Sequence, residues 1–140
     1  EIPKEELAQA LRLKEAGNAQ FKAKNFPRAL VKYHKALEFA TTARTGANEE
    51  NGGKKFEEEC ERTIAALNLN LSVGYMSLDP PNCMKGLEFA DRVVKADSKN
   101  AKALFRRAKA QLGLANLEEA LADARAAVAL LPHDPSARAI

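Results

Sequence analysis

The stretch RLKEAGNAQFKAKNFPRALVKYHKALEF, residues 12–39, decides how the chain folds. Its second half holds Ala29, Leu30, Tyr33, Ala36 and Leu37, continued by Ala40. These recur at i, i+3, i+4 and i+7, the spacing of a helix with one buried face. Asn25-Phe26-Pro27 is a break that ends one helix and caps the next. Ahead of the break, Lys14 and Asn18 sit one turn apart in a helical segment whose apolar pattern does not need them.

The same design recurs downstream. Leu67, Leu71, Tyr75 and Leu78 form a second stripe, and Leu104, Ala108 and Leu112 a third. Leu117, Ala120, Leu121, Ala124, Ala127, Val128 and Leu131 form a fourth. Breakers separate them: Asp79-Pro80-Pro81-Asn82, Asp97–Asn100, Leu114-Ala115-Asn116 and Pro132–Pro135. The pattern predicts six helices, at about 4–23, 26–43, 54–78, 83–96, 101–114 and 117–131. Thr41–Lys55, with Gly46, Gly52 and Gly53 among polar residues, reads as an exposed loop. Glu57-Glu58-Glu59-Cys60-Glu61 reads as a solvated helix face rather than a metal site, because successive helical residues point in different directions.

The 140 residues suffice for one domain with a core, and 46% hydrophobic with 29% charged residues is ordinary for a globular chain. A net charge of +3 is too small to imply nucleic acid. No apolar run approaches the roughly 20 residues that span a bilayer, so no membrane contact is expected. The chain begins at Glu1 without a secretory signal, and it reads as a piece of a longer protein. Cys60 and Cys83 form no C-x-x-C, and His34 and His133 lie far from them. Two such thiols fit packing roles in a reducing, cytoplasmic setting. No cofactor, metal or catalytic residue is expected. The chain has no nucleophile–base signature, and Gly52-Gly53 follows no strand and is not a phosphate cradle.

The helices pair, and the pairs repeat. AGNAQFKAKNFPRALVKYHKAL aligns with LSVGYMSLDPPNCMKGLEFADRVV and with RAKAQLGLANLEEALADARAAV. Small residues recur in each first helix (Gly17, Ser72, Ala108) and at the crossing of each second helix (Ala29, Gly86, Ala120). Gly86 and Ala120 are 34 residues apart. This pattern resembles the tetratricopeptide repeat, a helix-turn-helix unit of about 34 residues. The resemblance covers nearly the whole chain. It implies an all-α fold: three repeats stacked as a right-handed superhelix, with the first helix of each pair lining a concave groove. The repeats would run over about 8–42, 55–97 and 100–132, with a loop at 43–54. A truncated capping helix would follow at 134–140, with Asp134 as N-cap and Pro135 at the first position. The sequence departs from the repeat pattern at Leu13, Asn68 and Leu104, where a large aromatic is usual, and at the Asp79–Asn82 turn.

Lys14 and Asn18, Asn70, and Lys102 and Arg106 fall on the three first helices, and stacking would bring them toward one surface. Cations and amides together suit a dicarboxylate, such as the end of a peptide whose last residue is Asp. The set resembles the carboxylate clamp of chaperone-binding tetratricopeptide domains, and the surrounding sequence resembles the C-terminal domains of large immunophilins. That resemblance implies binding of the Glu-Glu-Val-Asp tail of the ninety-kilodalton heat-shock chaperone, or its seventy-kilodalton counterpart, and a prolyl isomerase domain ahead of this chain. Phe21 and Lys109 are further groove candidates. An alternative is a scaffold that holds another acidic partner, or RNA nonspecifically, through Lys102, Arg106, Arg107 and Lys109.

Overall fold

The computed structural model describes residues 2–131, and among these every regular element is helical. Six α-helices follow in order: α1 (Ile2–Lys22), α2 (Phe26–Thr45), α3 (Gly53–Met76), α4 (Cys83–Ala96), α5 (Ala101–Gly113) and α6 (Leu117–Ala129). Each packs on its sequence neighbours, and α1 also touches α3, as α3 touches α5. Helical hairpins are thus stacked with the odd-numbered helices in one layer, as in a repeat array.

Local chemistry places the helix ends. The side chains of Asn82 and Asn100 accept the backbone N–H groups of Lys85 and Ala103, each at 3.1 Å, and so cap α4 and α5. The main core joins Ala29, Leu30, Tyr33 and Ala36 of α2 to Leu67 and Leu71 of α3 and Phe89 of α4. A second cluster joins Val93 and Val94 to Ala103 and Leu104 of α5 and Ala127 of α6. The small residues do what their spacing implies. A Cβ on Gly17 would lie 2.6 Å from the Tyr33 ring, so glycine alone lets that ring press on α1. The Ser72 hydroxyl donates to the Gly86 carbonyl at 2.8 Å and ties α3 to α4.

Two expectations are corrected. The loop expected at Thr41–Lys55 is shorter: α2 continues to Thr45, a 3₁₀ turn covers Glu49–Asn51, and α3 starts at Gly53, so an exposed connection remains only between Thr45 and Gly53. A third apolar cluster of Leu7, Ala43, Phe56 and Cys60 draws these ends inward. Asn48 and Asn51 cap each other, and the buried Asn51 amide donates to the Gly46 carbonyl at 3.0 Å. The two amides satisfy one another and the turn, while Asn48, Glu49 and Glu50 stay exposed. The fourth stripe is also turned differently. Leu117 and Leu121 are 62% and 50% exposed, while Ala120, Asp123 and Ala127 face inward. The inward Asp123 carboxylate accepts from Nε and Nη2 of Arg107. The capping helix expected at 134–140 lies outside the described residues.

Candidate functional site

The five clamp candidates lie on α1, α3 and α5, the helices of one layer. Lys14 and Asn18 are half-buried one turn apart on α1, Asn70 is half-buried on α3, and on α5 Lys102 is exposed and Arg106 half-buried. Asn18 and Asn70 are 52 positions apart in sequence, yet the Asn70 Nδ2 group donates to Asn18 Oδ1 at 3.4 Å. The Tyr33 hydroxyl donates to the same oxygen at 2.7 Å.

Tyr33 thereby fixes which edge of the Asn18 amide is free. The oxygen is turned to Tyr33 and Asn70, which leaves the Asn18 N–H groups for a ligand. Burial, aided by the nearby negative charge of Glu15, pushes the Tyr33 phenol above its ordinary range, so it stays a donor at neutral pH. From the sequence, Tyr33 reads only as a core residue. The signal that could have found it is its pairing with Gly17, the residue before Asn18.

Lys14, Lys102 and Arg106 make no ion pair among the described residues. Arg107 is the opposite case. Its Nε and Nη2 donate to Asp123 at 2.6 and 2.8 Å, and its Nη1 donates to Asp91 at 2.9 Å. Burial alone would raise the Asp91 carboxyl, but the Lys95 and Arg107 hydrogen bonds outweigh it and hold the group below the usual carboxylate range. The expectation that Arg107 contributes to an open basic surface is therefore corrected. One residue along a helix is a rotation of about 100°, and that step turns Arg107 toward α4 and α6.

Phe21 lines a groove of about 490 Å³ with Asn18, Lys22, Lys24 and Phe26, its ring edge-on to Phe26 at 5.1 Å. Lys22 follows Asn18 by one turn, a spacing that could have singled it out. Lys109 shares a groove of about 480 Å³ with Arg106, Phe105 and Leu112. The candidate set is rich in N–H donors and positive charge, a chemistry that favours carboxylates.

No protein-family model matches the chain. Among curated proteins it is similar to peptidyl-prolyl cis-trans isomerase FKBP4 of Homo sapiens, 28% identical over 134 residues, covering 96% of this chain and 28% of that protein. It is also similar to peptidyl-prolyl cis-trans isomerase D of Kluyveromyces lactis, 34% identical over 128 residues, covering 87% of this chain and 32% of that protein. The chain thus spans about a third of the length of the curated relatives it matches. Among solved structures it is similar to the C-terminal TPR-containing domain of a Plasmodium falciparum FK506-binding protein, with a TM-score of 0.83, 28% identity, and coverage of 99% of this chain and 87% of that one. The first TPR of Spaghetti (RPAP3), bound to HSP90 peptide SRMEEVD, shares the fold at a TM-score of 0.69 and 24% identity, covering 94% of this chain and 86% of that one.

Proposed function

We infer that this chain, a tetratricopeptide-repeat domain similar to those of FK506-binding immunophilins, grips the acidic C-terminal tail of a heat-shock chaperone. The ligand is a peptide end of the type Glu-Glu-Val-Asp, whose last residue carries a backbone and a side-chain carboxylate. Lys14, Lys102 and Arg106 supply charge-assisted hydrogen bonds to these carboxylates. Asn18 and Asn70 supply neutral N–H donors without adding a charge that would have to be desolvated. Phe21 and Lys109 touch residues upstream of the terminal Asp. The ninety-kilodalton class is the favoured source of the tail, in the cytoplasm, and the whole protein is a prolyl isomerase that uses this domain to reach its chaperone.

The observation that carries this reading is the shared Asn18 oxygen. Tyr33 and Asn70 converge on it from α2 and α3, which leaves amide donors of two helices side by side. The HSP90 peptide held by a chain of the same fold supports the choice of ligand class. The engagement of Arg107 by two carboxylates weighs against a merely basic scaffold that needs no free C-terminus.

Calorimetric titration of single alanine variants tests the assignment. Each charge-assisted hydrogen bond contributes roughly 1.5–3 kcal/mol, so Lys14→Ala, Lys102→Ala and Arg106→Ala each weaken the tail about tenfold or more. Lys32→Ala and Lys35→Ala, exposed cations on α2, change affinity little. Losses that follow the number of charges removed, whatever their position, would sink the clamp in favour of the scaffold.

A further inference from the structure

The outer side of the first hairpin carries charge of one sign. Residues 16–37 hold no acid and five cations: Lys22, Lys24, Arg28, Lys32 and Lys35. All five are exposed, and none makes an ion pair among the described residues. Arg28, Lys32 and Lys35 follow at i, i+4 and i+7 on α2, which puts them within an arc of about 60° and a length of about 10 Å. Val31, 64% exposed, borders the same stripe. Glu38 ends it, one turn beyond Lys35.

The repeat explains why this face is open. Lys32, Phe89 and Asp123 each stand three residues after a crossing residue, Ala29, Gly86 and Ala120. Phe89 is buried against the preceding hairpin, its ring 5.5 Å from that of His34, and Asp123 is buried against Arg107. Lys32 alone of the three is exposed, because α1 and α2 form the end of the described stack. A terminal repeat needs a polar outer face for solubility. It does not need one sign of charge, and the exposed side of α4 mixes both: Lys85 and Arg92 pair with Glu88, and Lys95 pairs with Asp91. On α2 the like charges three and four residues apart repel and weaken the helix. Arg28, in the first turn, also opposes the helix dipole. A stripe that weakens its own helix fits a partner that brings the missing anions.

We propose that the outer face of α2 docks an acidic helix of another protein, with carboxylates at i, i+4 and i+7, a cation at i+10 and an aliphatic side chain for Val31. Two α-helices share a rise of about 1.5 Å per residue, so such a partner meets Arg28, Lys32, Lys35 and Glu38 step for step. Nucleic acid fits the stripe less well. Glu38 repels phosphates, and Val31 offers them nothing. The nearby rings of Phe21 and Phe26 pack edge-on against each other and are not open to a stacked base. Arg28, Lys32 and Lys35 lie on a different helix from the five clamp candidates, and the inference does not rest on the chaperone-tail reading.

Two synthetic helical peptides of one composition test it on the unmodified protein. One has glutamates at i, i+4 and i+7, a lysine at i+10 and a leucine beside them; the other has the same residues rearranged so that the glutamates are spread around the helix. Titrations followed by amide NMR should show the striped peptide perturbing Arg28, Val31, Lys32 and Lys35 and binding about tenfold tighter than the rearranged one, the factor expected for three exposed ion pairs. Lys32→Glu should abolish that preference and leave the affinity for a Glu-Glu-Val-Asp peptide unchanged. It should not lower the midpoint of thermal unfolding, because it turns two like-charge contacts, to Arg28 and Lys35, into attractive ones. Equal binding of the two peptides, no perturbation of α2, or shifts centred on Asn18 and Arg106 would overturn the proposal. So would tighter binding of this face to a single-stranded oligonucleotide or to phosphatidylserine vesicles, or a Lys32→Glu protein that unfolds at lower temperature, since the lysine would then serve the fold.

Discussion

Tyr33→Phe removes one oxygen atom and tests how the amide edge of the clamp is set. The lost hydrogen bond is 2.7 Å long and part-buried, and it holds Asn18 Oδ1. The remaining contact to that oxygen, from Asn70, is 3.4 Å long, near the outer limit of a hydrogen bond. A neutral bond of this kind contributes about 0.5–1.5 kcal/mol net. The phenyl ring still fills the space against Gly17, so the fold survives with about that loss of stability. The Asn18 amide becomes free to rotate, and its donors are no longer held toward the groove. Affinity for a Glu-Glu-Val-Asp peptide should fall about two- to tenfold. The assay is calorimetric titration in a double-mutant cycle with Asn18→Ala. In that background Tyr33→Phe should have no further effect on binding and little on stability, because the acceptor of its hydroxyl is already gone. A Tyr33→Phe protein that binds like the parent, or an effect that persists without the Asn18 amide, would refute the positioning argument.

Adjacent arginines should give opposite results. Arg107→Ala lowers stability by about 2–4 kcal/mol, because it strands the Asp123 carboxylate, and leaves tail binding nearly intact; Arg106→Ala weakens the tail and barely moves the thermal midpoint. Gly17→Ala places a methyl group 2.6 Å from the Tyr33 ring and should cost about 1–3 kcal/mol in denaturant unfolding. Tail affinity should fall as well, since the ring that holds Asn18 is displaced. His34 carries the acid sensitivity of the α2–α3 contact. Its Nε2 meets the Tyr75 hydroxyl at 2.7 Å, and burial, then the charges of Lys85 and Arg92, hold its pKa below the ordinary value. The unfolded chain therefore binds this proton more readily, so the contribution to stability is present above about pH 6.5 and is lost as pH falls below it. Thermal melts between neutral and mildly acid pH should show that loss, and His34→Gln should reduce it.

Periodicity made the helices legible because an amphipathic helix must repeat its apolar residues every three or four positions. Lys14, Asn18, Asn70, Lys102 and Arg106 stood out because the apolar pattern leaves their positions free, and repeat spacing put them on the three first helices. What the pattern hid is side-chain partnership across helices. Tyr33 looks like any core aromatic, since nothing in the sequence of α2 reveals that its hydroxyl reaches Asn18 on α1. Arg106 and Arg107 are chemically alike, and only the positions of Asp91 and Asp123 on neighbouring helices separate them. The polar run after Thr41 concealed the helix ends and a 3₁₀ turn, because its amides cap each other, which a composition count cannot register.

The central claim is that the α1, α3 and α5 donors hold a terminal carboxylate. One comparison tests it most directly: calorimetric titration with a Glu-Glu-Val-Asp peptide as the free acid and as the C-terminal amide. The account predicts saturable one-site binding of the acid, and at least about tenfold weaker binding of the amide, because one of the two carboxylates is gone. Equal affinity for the two peptides would contradict it, and would mean that the cations of α1 and α5 attract acidic residues anywhere along a chain.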